Sequence, residues 1–269
     1  MKKYTKRELV SFNGKCNFNC KHCFALELED NQRTNSISQI INSLKSKEFD
    51  VIYVSHNKEN FINVDEGIEL CETLFNTYKK DICVTTRQVI EEQNALKTLK
   101  DLNNKMLNSG NSLYFSISIP ALYSYDFTEN KTFVPTPIQR ILFMKSLKNM
   151  GIKVILTVRP LFPEKYIEKQ EIIDLIRISQ PFVDAVTTGG LIATDEILKR
   201  LSINKNDIDL SVNNDSDYLV GAVKENAMFV NVNKEIEYLK EICQKNNLQF
   251  FKHSMDALNY LYKNSEWNK

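Results

Sequence analysis

The chain is predicted to be an α/β protein, a partial (β/α)6 TIM-like barrel with a C-terminal α/β extension. Short β-rich apolar runs alternate with helical periodicity through its first two thirds, the sequence sign of repeated βα units around a parallel sheet. With 269 residues, 42% of them hydrophobic, it is long enough to bury a sizeable core and to form a barrel. No Pro-rich, Gly-rich or low-complexity linker divides it. Residues 1–203 therefore read as the barrel, and residues 204–269 as an extension packed on it rather than an independent domain.

Each unit can be followed in order. Leu9 to Phe12 reads as the first strand, and Ile37, Ile40, Ile41 and Leu44 form a helical stripe with Ser36 as N-cap. Asp50 to Ser55 is the second strand, followed by a helix carrying Ile68, Leu70, Cys71, Leu74 and Phe75. Ile82 to Thr86 is the third, before a helix with Ile90, Leu96, Leu99 and Leu102. Leu113 to Ile119 is the fourth strand and ends at Pro120; a long polar and aromatic loop, Ala121 to Pro137, follows. The helix Ile138 to Asn149 stops at Gly151, and Lys153 to Pro160 is the fifth strand. A helix from Glu168 to Ser179 precedes the sixth strand, Val183 to Thr188, which runs into Gly189-Gly190; Thr194 caps a further helix. Beyond residue 204 the chain is Asn/Asp-rich to Asp217. Met228 to Val232 and Leu248 to Phe251 then read as short strands around a helix from Glu235 to Asn246, with a last helix near Met255 to Tyr262.

The first strand leads into Lys15-Cys16-Asn17-Phe18-Asn19-Cys20-Lys21-His22-Cys23, where three cysteines stand at CxxxCxxC spacing. Three thiolates within eight residues can reach one metal centre. Structural zinc takes four protein ligands, whereas an iron-sulfur cluster can be held by three cysteines with one iron open. Cys71, Cys83 and Cys243 are single and far apart, so they complete no zinc set. In a parallel αβ barrel the active site lies at the C-terminal ends of the strands, which is where this loop belongs.

The charged start of the chain carries no secretory h-region, and the core is too large to need disulfides, so the expected compartment is a reducing cytoplasm. Lys plus Arg (35) nearly balances Asp plus Glu (34), and no apolar run approaches a membrane span. Overall charge thus demands neither nucleic acid nor a membrane as partner.

A CxxxCxxC loop after the first strand of a sixfold βα repeat resembles the radical S-adenosylmethionine (SAM) superfamily. The resemblance implies that Cys16, Cys20 and Cys23 hold a 4Fe-4S cluster whose open iron binds S-adenosylmethionine, and that reductive cleavage yields a 5'-deoxyadenosyl radical which abstracts hydrogen from a substrate. It implies an electron donor of flavodoxin or ferredoxin type. His22, before the last cysteine, would lie along the adenine in place of the usual aromatic residue. The family's glycine-rich motif after the second strand is absent; Ser55, Asn57 and Glu59 offer polar acceptors there for the methionyl amino group. Ser118 falls where the family places a ribose or carboxylate contact. Arg159 would pair with the SAM carboxylate, and Gly189-Gly190 would lie against adenine. The run from Thr136 to Pro163 also resembles the branch containing spore photoproduct lyase, which keeps nucleic-acid repair or modification open beside a non-catalytic iron-sulfur or zinc scaffold. The absence of further clustered cysteines argues against auxiliary clusters.

Other residues have plainer readings. His56 and His253 offer acid, base or ligand chemistry, although a lone histidine is more often structural. Cys243 sits in the helical periodicity of Ile236, Leu239 and Ile242 and reads as a small buried hydrophobe, as does Cys71. Tyr123, Tyr125, Phe127 and Lys131 suit either a base-stacking loop or a cover over the barrel mouth.

Overall fold

Strands in a parallel sheet are buried on both faces, so they read as nearly unbroken apolar runs. The strands are β1 (Arg7–Val10), β2 (Val51–Val54), β3 (Asp81–Thr86), β4 (Leu113–Ser118), β5 (Lys153–Leu161) and β6 (Ala185–Gly190), of which β2 is such a run throughout and β1 and β6 are apolar only in part. A computed structural model describes residues 4–14, 16–28, 35–55, 58–211 and 228–264. His56, Asn57 and the Asn/Asp-rich stretch beyond Ser211 lie outside the described residues.

Each strand pairs in parallel with the next in the chain. The sixfold repeat is extended by one: Phe250–Phe251 pairs in parallel with β6, giving a seven-stranded sheet. The sequence places this segment in the tail, and its two-residue length hides its partner. Among the described residues the strand order begins at β1 and ends at this seventh strand, with no pairing between the two. Three further strands, β7 (Ile192–Ala193), β8 (Leu210–Ser211) and β9 (Met228–Val230), form a small antiparallel sheet in the order β7-β9-β8; Phe250–Phe251 is then β10.

Helices follow the strands. Among the described residues they are α1 (Ile37–Leu44), α2 (Val64–Tyr78), α3 (Gln93–Asn108), the short α4 (Tyr125–Thr128), α5 (Pro137–Asn149), α6 (Lys169–Ser179), α7 (Asp195–Arg200), α8 (Asn233–Lys245) and α9 (Ser254–Lys263). Their starts are written in the sequence. Ser36 and Thr136 form capping boxes with Gln39 and Gln139, and Thr194 accepts from the Ile197 amide. Gly151, at φ 75°, takes the left-handed turn after α5.

Alternation along the strands separates two faces. One carries Ile52, Val54, Ile82, Val84, Phe115, Ile117, Val154 and Leu156 into a core shared with α1, α2, α3, α5, α6 and α8. The other, called the inner face below, carries Val51, Tyr53, Cys83, Tyr114, Ile155 and Ala185, against which α9 lays Ala257, Leu258 and Leu261. Cys71 and Cys243 are fully buried in the first core, as small hydrophobes. Among the described residues no helix is long and apolar enough to cross a membrane.

Candidate metal and cofactor site

Toward the C-terminal strand ends the inner face becomes polar. Beyond the layer covered by α9, Ser116, Thr157 and Thr187 form a hydroxyl ladder, with Oγ–Oγ1 and Oγ1–Oγ1 separations of 2.6 and 2.8 Å. Two residues further along come Arg87, Ser118, Arg159 and Gly189, at the ends of four consecutive strands. These residues meet. The Ser118 hydroxyl donates to the Arg159 carbonyl at 3.1 Å, and Arg87 Nη2 donates to the same oxygen at 3.4 Å. The Arg159 side chain lies so close over Gly189 that a Cβ there would stand 2.9 Å from its Nε. Gly189 is thus the space in which the Arg159 guanidinium runs.

The cysteine loop meets this layer at Arg87, through His22. Two tight turns shape it: the Asn19 amide donates to the Cys16 carbonyl at 3.4 Å and the Cys23 amide to the Cys20 carbonyl at 3.0 Å. Asn19 takes the left-handed conformation (φ 45°), which its short amide side chain tolerates better than most. Cys20 is buried against Phe18 and Val134, with Cys16, Cys23 and Ile62 packed alongside. Burial pushes the Cys20 thiol up to about 12. Burial also raises Cys23, against which the Arg87 charge and hydrogen bonds from the Ala25 and Leu26 amides pull toward the thiolate.

His22 is held at both ring nitrogens. Its Nδ1 donates to the Thr128 carbonyl at 2.9 Å, so Nε2 accepts from Arg87 Nη2 at 3.0 Å. This fixes the neutral tautomer, and burial together with Arg87 lowers its pKa to about 3. Arg87 also donates through Nε to Glu129 Oε1 at 2.7 Å. Glu129 in turn takes both guanidinium arms of the fully buried Arg140, whose Nη1 also reaches the Ser118 carbonyl at 2.5 Å. The loop is fixed outside as well: Arg200 donates to the carbonyls of Lys21 and Cys23, each at 2.9 Å, and to Glu27 at 2.8 Å.

The second-strand loop lacks a glycine-rich motif, yet it opens on a glycine-like backbone. Ser55 has φ 72°, a glycine-like conformation, and its Oγ accepts from the Asn60 amide at 3.1 Å. Glu59 is buried and accepts the amides of Phe61 (3.1 Å) and Arg87 (2.9 Å), tying this loop to the end of β3.

Of the residues expected at the site, Cys16, Cys20, Cys23 and His22 share the loop, Ser118, Arg159 and Gly189 share the strand-end layer, and Ser55 and Glu59 flank it. His253 is elsewhere, exposed at the start of α9. Phe127 stacks on Tyr166 and meets Phe162, and Tyr123 donates to Asp174, so these two aromatics are used in packing the loop against β5, α6 and their connection. Arg87, Glu129, Arg140 and Arg200 went unpredicted. Arg87 shares the address of Arg159, a cation at a strand's C-terminal end, and Arg140 sits at a core-facing helical position between Pro137, Ile141 and Met144. Both signals were present in the sequence.

As it stands, no group of three or more His, Cys, Asp or Glu side chains among the described residues is placed to hold a metal ion. The residues nonetheless suit an anionic, thiolate-held group. Three sulfurs lie on one short loop, amides point at Cys23, and two guanidiniums share one carboxylate beside them.

The fold is similar to those of several solved proteins. A spore photoproduct lyase variant with bound AdoMet and dinucleoside spore photoproduct matches with TM-score 0.60 at 11% identity, over 91% of this chain and 76% of that one. A radical SAM methyltransferase from Sphaerobacter thermophilus matches with TM-score 0.58 at 11% identity, over 93% and 67%. The chain has the radical SAM fold. SuiB from Streptococcus suis matches with TM-score 0.55 at 14% identity, over 93% of this chain and 50% of that one. No family model and no curated protein matches the chain. In this chain the CxxxCxxC loop follows the first strand, at the strand ends where α/β barrels hold their ligands.

Proposed function

We propose that the protein is a radical SAM enzyme in which Cys16, Cys20 and Cys23 hold a 4Fe-4S cluster. What carries this reading is the three-cysteine loop at the C-terminal end of β1, joined through His22 to Arg87 of the polar strand-end layer and so beside largely buried positive charge. A cluster with one open iron supplies the electron for reductive cleavage of S-adenosylmethionine to a 5'-deoxyadenosyl radical, which takes hydrogen from a substrate. The protein's own part is to hold and orient. Arg159 offers a bidentate guanidinium for the SAM carboxylate, and Gly189 leaves the room in which that guanidinium lies. His22, neutral and fixed at both nitrogens, presents a flat ring for adenine without adding charge. Ser55 supplies the left-handed backbone that a glycine would give, with Glu59 behind it; Ser118 holds the Arg159 main chain in register. A flavodoxin- or ferredoxin-type donor and a reducing cytoplasm complete the picture.

The test is anaerobic reconstitution with iron, sulfide and a reductant. Wild-type protein should become brown and release 5'-deoxyadenosine from SAM; Cys20→Ala should bind little iron and release none. Arg159→Ala should keep the cluster and weaken SAM binding about tenfold or more, as expected for loss of a charge-assisted pair worth about 1.5–3 kcal/mol. A zinc-loaded protein that never cleaves SAM would leave only the scaffold reading. A second reading draws on the lyase neighbour's bound dinucleoside: the substrate would be a nucleic-acid lesion. Its check is salt-dependent binding to damaged oligonucleotides, since phosphate contacts weaken steeply as salt rises.

A further inference from the structure

We propose that Arg87 tunes the redox potential of the site, its guanidinium raising the reduction potential of the cluster held by Cys16, Cys20 and Cys23. This rests on the cluster reading above.

Three observations carry it. Arg87 touches the cysteine loop directly, through His22 Nε2 at 3.0 Å, and His22 lies between Cys20 and Cys23 in the chain. Its charge is incompletely neutralised: Arg87 and Arg140 both bind Glu129, so two guanidiniums share one carboxylate and one positive charge is left over. The loop is also tied to the segment that carries Glu129: the Lys21 amide and His22 Nδ1 both donate to the Thr128 carbonyl, at 3.1 and 2.9 Å, so the whole charged group stands against the cysteine loop. Glu59 also meets Arg87. It accepts the Arg87 main-chain amide rather than the guanidinium, and burial disfavours its ionised form.

A surplus charge in such a place costs solvation energy unless something anionic meets it. Reduction of the cluster takes one electron from an external one-electron donor; no bond to the protein forms or breaks, and one unit of negative charge is added beside the sulfurs. A fixed cation favours the more negative state, and cluster potentials follow local charge and hydrogen bonding. Arg87 cannot lose its proton at working pH, so the bias is constant. A purely structural Arg87 would also brace His22 and Glu129, but it would leave the potential unsigned.

The experiment is a redox titration of reconstituted full-length protein with dithionite, in the absence of SAM, followed by the spectrum of the reduced cluster. Arg87→Met should lower the midpoint potential, Arg87→Lys should stay near wild type, and Glu129→Gln should raise it by removing the compensating charge. Equal potentials in wild type and Arg87→Met overturn the proposal, as does an Arg87→Lys protein that falls as far as Arg87→Met. Should Arg87→Met fail to hold a cluster, Glu129→Gln decides: a potential at or below that of wild type overturns it. Wild-type protein that takes up no cluster overturns the underlying reading instead, and is distinguished by its iron content.

Discussion

Glu129 shows how much one side chain can hold. It is buried between Arg87 and Arg140, and although burial works against its charge, the two guanidiniums outweigh that and hold its carboxyl below the ordinary value of 4.5. Breaking a buried pair by removing one partner leaves uncompensated charge and costs about 3–5 kcal/mol. Glu129→Gln should therefore destabilise the protein by about that much at neutral pH. The sign with pH follows from the depressed pKa: Glu129 contributes its full stability above 4.5, and the contribution is lost as pH falls below that value. Urea unfolding at pH 7 and near pH 3.5 should find the gap between wild type and variant narrowing at the lower pH. A constant gap would mean the pair contributes packing rather than charge. The residue itself was illegible in the sequence, where it is one acid in a polar loop; what gives it a role is the approach of β3, β4 and α5 in three dimensions.

At the scale of elements, α7 and the cysteine loop are one mechanical unit. Arg200, the last residue of α7, donates to the carbonyls of Lys21 and Cys23, and Glu27 joins it to the Thr194 hydroxyl that caps the same helix. Arg200→Met should loosen the loop without unfolding the sheet. Losing hydrogen bonds from a charged donor costs about 1–3 kcal/mol locally, which predicts amide exchange roughly 10- to 100-fold faster over residues 20–28 and little change in the strands. Exchange that rises equally in β2 to β5 would instead place Arg200 in the global core. The elements were largely readable from the sequence. Capping boxes at Ser36 and Thr136, the apolar runs of β2 to β6 and the turn at Gly151 all stand where the residues put them. β1 begins earlier than its apolar run, because Arg7 and Glu8 pair with Val51 and Ile52 although neither is hydrophobic. The tail was harder. Strands of two or three residues carry no usable periodicity, so the β7-β9-β8 sheet and the β10–β6 pairing depend on contacts that the local sequence does not encode.

The whole molecule is held together by a division of the sheet's inner face. Its polar strand-end layer meets the cysteine loop at Arg87, while its apolar layer, Tyr53, Cys83, Tyr114, Ile155 and Ala185, is covered by no βα helix among the described residues. The C-terminal helix α9 takes that place, with Ala257 and Leu258 fully buried, and β10 just before it extends the sheet at β6. The tail therefore supplies a surface that the sixfold repeat lacks, and we expect the two to unfold together. Leu258→Ala removes buried methyl groups from this contact and should cost about 2–5 kcal/mol. For a chain of this size that lowers Tm by roughly 5–15 °C. Thermal unfolding followed in parallel by far-UV circular dichroism and by tyrosine fluorescence should give one transition, moved to the same lower temperature by both probes. The tyrosines suit the purpose, because Tyr4, Tyr53 and Tyr114 lie in the very layer α9 covers. Two separated transitions, with Leu258→Ala moving only the first, would make residues 204–269 an appendage whose loss the barrel survives. A single shifted transition would make the tail the missing wall of the barrel, on which the geometry of the strand ends and the cysteine loop depends.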